Sequence, residues 1–255
     1  MGETTHNTIE NTTGDRAVSG VARTAETERA VGTIGLTGAG LVAVILGVHP
    51  FGTTELYDDG AAFLDHVGPF WVVIHLLAAL SVLSFVPAIR HSVETFHPGY
   101  PRALGRFAAA VATLGTAIGV LHLVGFDTIT FVAFEDTFTA ANGSDASLIA
   151  ADLLLRIHAA SLMSWMLAFW LPVSALLGAA LLVEGSRPFW MRLLGPVAAI
   201  MQLAAAVLFV AEGQHTTVGE TVLFRSGVTL LLALVALLSW ELRRGAPIGE
   251  LSAAT

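Results

Sequence analysis

Five of the nine histidines, His49, His75, His122, His158 and His215, lie inside or beside long apolar runs of the chain. Imidazole is the commonest protein metal ligand, and haem iron takes one or two axial histidines. Carrying a polar side chain unpaired into an apolar medium costs roughly 2–7 kcal/mol. Groups of this kind within a membrane therefore face a bundle interior or a wet cavity, and default to a functional reading. In "GVLHLVGFD" Asp127 follows His122 by five positions, and Glu212 lies close to His215. Either carboxylate could complete a metal site or orient a ligand's second ring nitrogen. The bland alternative is a set of interfacial imidazoles hydrogen-bonded to backbone or water. It is strongest for His49, His158 and His215, which fall near the ends of apolar runs.

The rest of the sequence narrows the chemistry by what it omits. There is no cysteine, which removes disulfides, thiolate metal sites and cysteine nucleophiles. All 12 basic residues are arginine, so a Schiff base to lysine is impossible. No two histidines stand three or four apart, and no H-E-x-x-H, G-x-S-x-G, Walker or EF-hand pattern occurs. Any histidine site must be assembled from different elements. "GAGLVA" at 38–43 matches a dinucleotide-binding fingerprint, but it sits within an apolar run rather than between a strand and a helix.

The elements that must position these residues are membrane helices. Hydrophobic residues make up 55% of the chain and charged ones 13%, against about 25% charged in soluble proteins, and mean hydropathy is +0.74. A spanning helix needs about 20 mostly apolar residues. Six such runs are present, at about 31–49, 70–89, 104–126, 158–183, 191–211 and 222–241. They lack the alternation of a membrane β-barrel, so the expected fold is an all-α integral membrane protein, a six-transmembrane-helix bundle. Residues 1–30, rich in Thr, Glu, Gly and Ala, read as a disordered N-terminal tail and 245–255 as a C-terminal tail, with the membrane domain at 31–244. Met1-Gly2 is not a myristoylation signal, because His6 occupies the Ser or Thr position.

Short cytoplasmic loops collect arginine. With the N-terminus inside, Arg16, Arg23, Arg29, Arg90, Arg102, Arg106, Arg187, Arg192, Arg243 and Arg244 are cytoplasmic, and only Arg156 and Arg225 are outside. Both termini are therefore expected in the cytoplasm of a cell-membrane protein. Net charge is −8 with no basic stripe, which gives no reason to expect nucleic acid, and the lipid bilayer is the expected partner. This topology puts all five histidines and Asp127 at the outer end.

Gly115 and Gly119 form a small-xxx-small pair in the third run, and His122 lies three residues further on. The histidine shares the close-packed face and should point at a neighbouring helix. Gly32, Gly35, Gly38 and Gly40 are expected to make a similar smooth face in the first run. Pro172 and Pro196 fall inside runs and should kink their helices. Trp71, Trp190 and Trp240 fit interfacial anchors, whereas Trp165 and Trp170 fit the core. The stretch 127–150 is the longest outer loop and would cover a site there.

Six spans with histidines on the second to fifth, here His75, His122, His158 and His215, resemble in part the six-helix b-type cytochromes in which four histidines hold two haems near opposite faces. All four lie at one face here, so a two-haem arrangement is not expected. The leading reading is a histidine-lined extracytoplasmic site for haem b or a transition-metal ion, serving electron transfer or metal handling. His75 and His122 are the first ligand candidates, then His158 and His215, with His49 and Asp127 as further metal ligands. Arg156 and Arg225 could hold haem propionates, though Asp152 and Glu220 stand ready as their ion-pair partners. A small-solute channel or transporter, and a structural or partner-binding protein without a cofactor, are the alternatives.

Overall fold

The computed structural model describes residues 9–48, 60–128, 160–211 and 218–245, and all regular structure among them is helical. Six stretches are long and apolar enough to cross a membrane: Ala25–Gly47, Val72–Glu94, Tyr100–Gly125, Ala160–Glu184, Phe189–Ala211 and Gly219–Arg244. They are called the first to sixth spans below. Each span packs against its neighbours in the chain, and the sixth returns to the first, closing a ring; the second and sixth also touch. His49, Arg156, His158, Glu212, His215 and most of the 127–150 loop lie outside the described residues, and of Asp127 only the backbone is described.

The interior is built from small and aromatic side chains. Ala108, Ala112, Ala180, Ala198 and Ala205 are fully buried beside Phe85, Phe169, Leu177 and Leu231. Bulky aliphatics such as Leu80, Leu114, Ile200 and Val210 are instead exposed along the outer faces. This inversion suits lipid, where hydrocarbon is as apolar as leucine and close backbone approach drives helix association. Gly178 and Gly195 mark a close crossing between the fourth and fifth spans. A β-carbon on Gly178 would stand 2.5 Å from the Pro196 ring, and one on Gly195 would stand 2.5 Å from the Gly178 backbone.

Three features depart from the sequence reading. The first helix is Ile9–Val48, so the backbone is helical well before residue 31. Once a span has nucleated a helix, each further residue adds a bond at low cost, and the Ala, Arg and Glu upstream are good helix formers. Gly40 does not join the smooth face of the first span. A β-carbon there would meet nothing within 4 Å, whereas Gly35 abuts Ala88 and Ser239, and Gly38 abuts Ser81 and Ser84. Two positions along a helix is more than half a turn, so Gly38 and Gly40 face opposite ways. Finally, the second span is interrupted at Ser84, between helices Gly60–Leu83 and Phe85–Glu94. Pro87 lies three residues on and has no N–H to bond the Leu83 carbonyl. The Ser84 hydroxyl and amide both turn back to the Ser81 carbonyl, at 2.6 and 3.1 Å.

The expected kinks take different forms. Pro196 lies inside the unbroken helix Phe189–Ala211. Pro172 is preceded by a π-helical turn, Met166–Trp170, closed by Leu171 N–H donating to the Met166 carbonyl. A wider turn removes the clash between the proline ring and the carbonyl four residues back.

Candidate functional site

His75 is 3% exposed and His122 2% exposed, the most buried ionisable groups at their end of the bundle among the described residues. His75 lies towards the start of the second span and His122 towards the end of the third, so both sit at the same end of the bundle. The helix carrying His75 packs against the turn carrying His122. His75 belongs to the stripe Ala78, Ala79, Val82 and Phe85, whose spacing keeps it on the interior face.

His122 is held from the fourth span. Its Nδ1 lies 2.8 Å from Ser161 Oγ, and its ring is 5.4 Å from that of Trp165, tilted by 39°. The glycine face places it there. A β-carbon on Gly115 would stand 2.7 Å from the Phe169 backbone, and one on Gly119 would collide with the Trp165 indole. Trp165 continues inward through Trp170 at 5.3 Å and Phe169 at 6.3 Å, and Phe85 of the second span lies 6.4 Å from both Phe169 and Trp170. The expectation that His122 shares the close-packed face is met, and Trp165 and Trp170 are core residues, 6% and 2% exposed.

The backbone at this site is itself unusual. Residues Leu121–Asp127 form a π-helical turn, with His122 its second residue, and Met166–Trp170 form the other. The Thr128 hydroxyl donates to the Leu123 carbonyl at 3.3 Å near the end of the first. Wide turns of this kind re-aim the side chains that follow and occur disproportionately at functional sites.

Of the proposed metal ligands, only His75 and His122 have described side chains, and among the described residues no group of three or more His, Asp or Glu comes together as an ion would need. Arg225 is half-buried six residues inside the sixth span, and Glu220 is buried in the preceding turn. Both have interacting neighbours.

The opposite end carries a network the sequence reading missed. Arg187, 3% exposed, donates from Nε to Glu241 Oε2 at 2.9 Å and from Nη2 to the Thr95 hydroxyl at 3.1 Å. Its Nη1 is 3.3 Å from Glu184 Oε1, and its guanidinium stacks 4.8 Å over Phe96. Glu184 also accepts from the Ser186 amide at 3.0 Å and pairs with His97 Nδ1 at 2.9 Å. Arg102 bonds the Phe96 carbonyl through Nε and Nη2, while Arg106 grips Glu94 with a two-bond fork at 2.8 and 2.7 Å. One signal was available: Glu241 is an acid within the last apolar helix, where an unpaired charge is not tolerated.

Beside these two ends the middle of the bundle carries buried hydroxyl and amide groups, among them Thr116, Ser174 and Gln202. No family model, no curated protein and no solved structure matches the chain, so what is established of its identity is a polytopic, all-helical protein with six candidate membrane spans.

Proposed function

We propose that the protein binds haem b in the membrane through His75 and His122 and carries single electrons at that end of the bundle. The supporting observation is the pair itself: two imidazoles buried to 3% and 2%, at the same end of the bundle, on elements that pack together. Haem asks only for one or two axial residues, which the two described imidazoles can supply by themselves, whereas a transition-metal ion takes three or four protein ligands. Ser161 gives His122 the outer-sphere partner that such ligands use. With Nδ1–H donating to the serine, the ring's lone pair is on Nε2, the nitrogen that faces a metal in this tautomer. Trp165 and the Gly119 contact fix the plane of the ring and keep water from it. Bound haem would supply the iron couple between Fe(III) and Fe(II). Arg225, at the same end, is the propionate partner, with Arg156 as a second.

We also place both termini in the cytoplasm and the histidine end outside, in the cell membrane. Ten of the twelve arginines support this orientation. Because the chain has no cysteine, single cysteines introduced at Ser252 and at Thr53 can be labelled from one side in intact cells. The assignment requires labelling at Thr53 alone with an impermeant thiol reagent.

Expression with haem supplied, followed by visible spectroscopy of the purified protein, tests the cofactor. A Soret band with the sharp reduced α-band of six-coordinate haem is expected, lost in either His75→Ala or His122→Ala while the helical content is retained. A colourless preparation from haem-replete membranes would overturn the reading.

A further inference from the structure

The fourth and fifth spans cross at Gly178 and Gly195. Towards the histidine end, the face of the fourth span that meets this crossing carries Ser174 and Trp170, four and eight residues away. On the fifth span Gln202 lies seven residues from Gly195, two turns along the same face. At 1.5 Å per residue, Trp170 and Gln202 stand about 12 and 10.5 Å from the crossing, and Ser174 about 6 Å. Antiparallel spans in this register place the three residues along the seam between the fourth and fifth spans, with Trp170 and Gln202 at nearly the same level. The π-helical turn that ends at Trp170 packs against the fifth span. From the sixth span, Gly227 makes room for the glutamine: a β-carbon there would stand 2.7 Å from Gln202 Cγ.

All three are deeply buried, Ser174 and Gln202 at 0% and Trp170 at 2% exposure. Their polar atoms, Ser174 Oγ, Trp170 Nε1 and both Nε2 and Oε1 of Gln202, have no hydrogen-bond partner among the described residues. Buried polar groups in proteins are paired almost without exception, and where side chains and backbone fail to pair them, ordered water does. We infer that the bundle holds at least one internal water between Trp170, Ser174 and Gln202, near the middle of the membrane. The donor and acceptor inventory selects the ligand. The indole needs an acceptor, the carboxamide needs one of each, and the hydroxyl takes either role. Water supplies both roles, and a lipid tail supplies neither. An anion would satisfy the indole and the amide N–H but would bring a full charge among three neutral side chains, at a large desolvation cost. Three neutral side chains also offer a metal cation no charge. The site is separate from the His75 and His122 pair and does not depend on haem.

Hydroxyl-radical footprinting by X-ray pulses tests this on the full-length protein in lipid nanodiscs, because radicals form at bound water and modify the side chains that touch it. Trp190, 54% exposed, is the solvent reference, and Phe169, 0% exposed and 4.8 Å from Trp170, is the dry one. After correction for intrinsic reactivity, Trp170 is expected to be modified many times faster than Phe169. Gln202→Leu should lower the Trp170 rate several-fold and leave Trp190 unchanged. If the leucine variant does not fold, Ser174→Ala carries the same expectation, and the wild-type comparison needs no variant. Trp170 as inert as Phe169, or a Trp170 rate that neither substitution changes, would overturn the inference. So would a rate that depends on replacing chloride by a bulky organic anion, which would assign an anion to the seam.

Discussion

The two ends of the bundle solve the problem of polar groups in an apolar medium by opposite means. At the arginine end, full charges are brought inside and paired: Arg187 reaches Glu241, Glu184 and Thr95, which come from three different spans and the turns between them. The connections there are tight, and Gly185 ends the fourth span in the left-handed conformation, φ +75°, that a side chain would resist. At the histidine end the buried pair are imidazoles, with a hydroxyl and an indole against His122, and the helices widen into π turns. A guanidinium cannot give up its charge and so demands fixed partners. An imidazole can enter neutral and keep a nitrogen for a ligand. The comparison teaches that burial alone does not mark a functional group. Arg187 is as buried as His75, yet every contact it makes closes the structure.

The largest effect should come from breaking the charged end. Arg187→Met removes the guanidinium that Glu241 and Glu184 share, and loss of one member of a buried charged pair costs about 3–5 kcal/mol. Reversible unfolding in mixed micelles reads this. The double variant with Glu241→Leu should recover much of the loss, and failure to recover would show that Arg187 acts through Phe96 and Thr95 instead. Next in size is Gly119→Ala, which puts a methyl group into the Trp165 indole and should cost about 1–3 kcal/mol by overpacking. Because the same indole lies against His122, this variant should also shift the tryptophan emission. An unshifted spectrum would disconnect the glycine face from the site.

Ser161→Ala removes the hydroxyl at His122 Nδ1 and should cost about 0.6 kcal/mol, the mean for hydrogen bonds between membrane helices. Its sharper consequence is functional. The proposed haem should keep its absorption but change its reduction potential, whereas a purely structural hydroxyl would leave the potential where it was. Smallest of all is Glu94→Gln. The Glu94–Arg106 fork is 46% and 61% exposed at its two side chains, and exposed pairs contribute about 0–1 kcal/mol. A loss there as large as that for Arg187 would erase the distinction between inner and outer charges at that end.

Particular residues show how far the sequence could be read. Gly115, Gly119 and His122 lie on one helical face by spacing alone, and the fold sets that face against the fourth span. Six apolar runs predict six spans, and helices persist beyond the apolar stretch where the chain leaves it, as the sixth does through Glu241 to Arg244. Ser161, by contrast, carries no mark in the sequence; a serine in a membrane helix usually bonds its own backbone, as Ser164 does to the Ala160 carbonyl. Glu184 and Glu241 read as separate acids at the ends of separate spans, and nothing in their spacing says that one arginine would join them. Of the five histidines whose convergence the topology suggests, His75 and His122 have described side chains, both buried and on elements that pack together.

What the sequence determined by itself is local: apolar length dictates spanning helices, because backbone groups in lipid must be satisfied within the segment. Periodicity of 3.6 residues likewise dictates which residues share a face. The tertiary structure alone decided which faces meet. That choice put Trp165 against His122 and joined Arg187 to Glu241 of the sixth span and Glu184 of the fourth. The physical reason is that helices in lipid gain little from hiding apolar surface and choose neighbours by close packing and polar pairing. Those are properties of two surfaces together, and no single segment carries them.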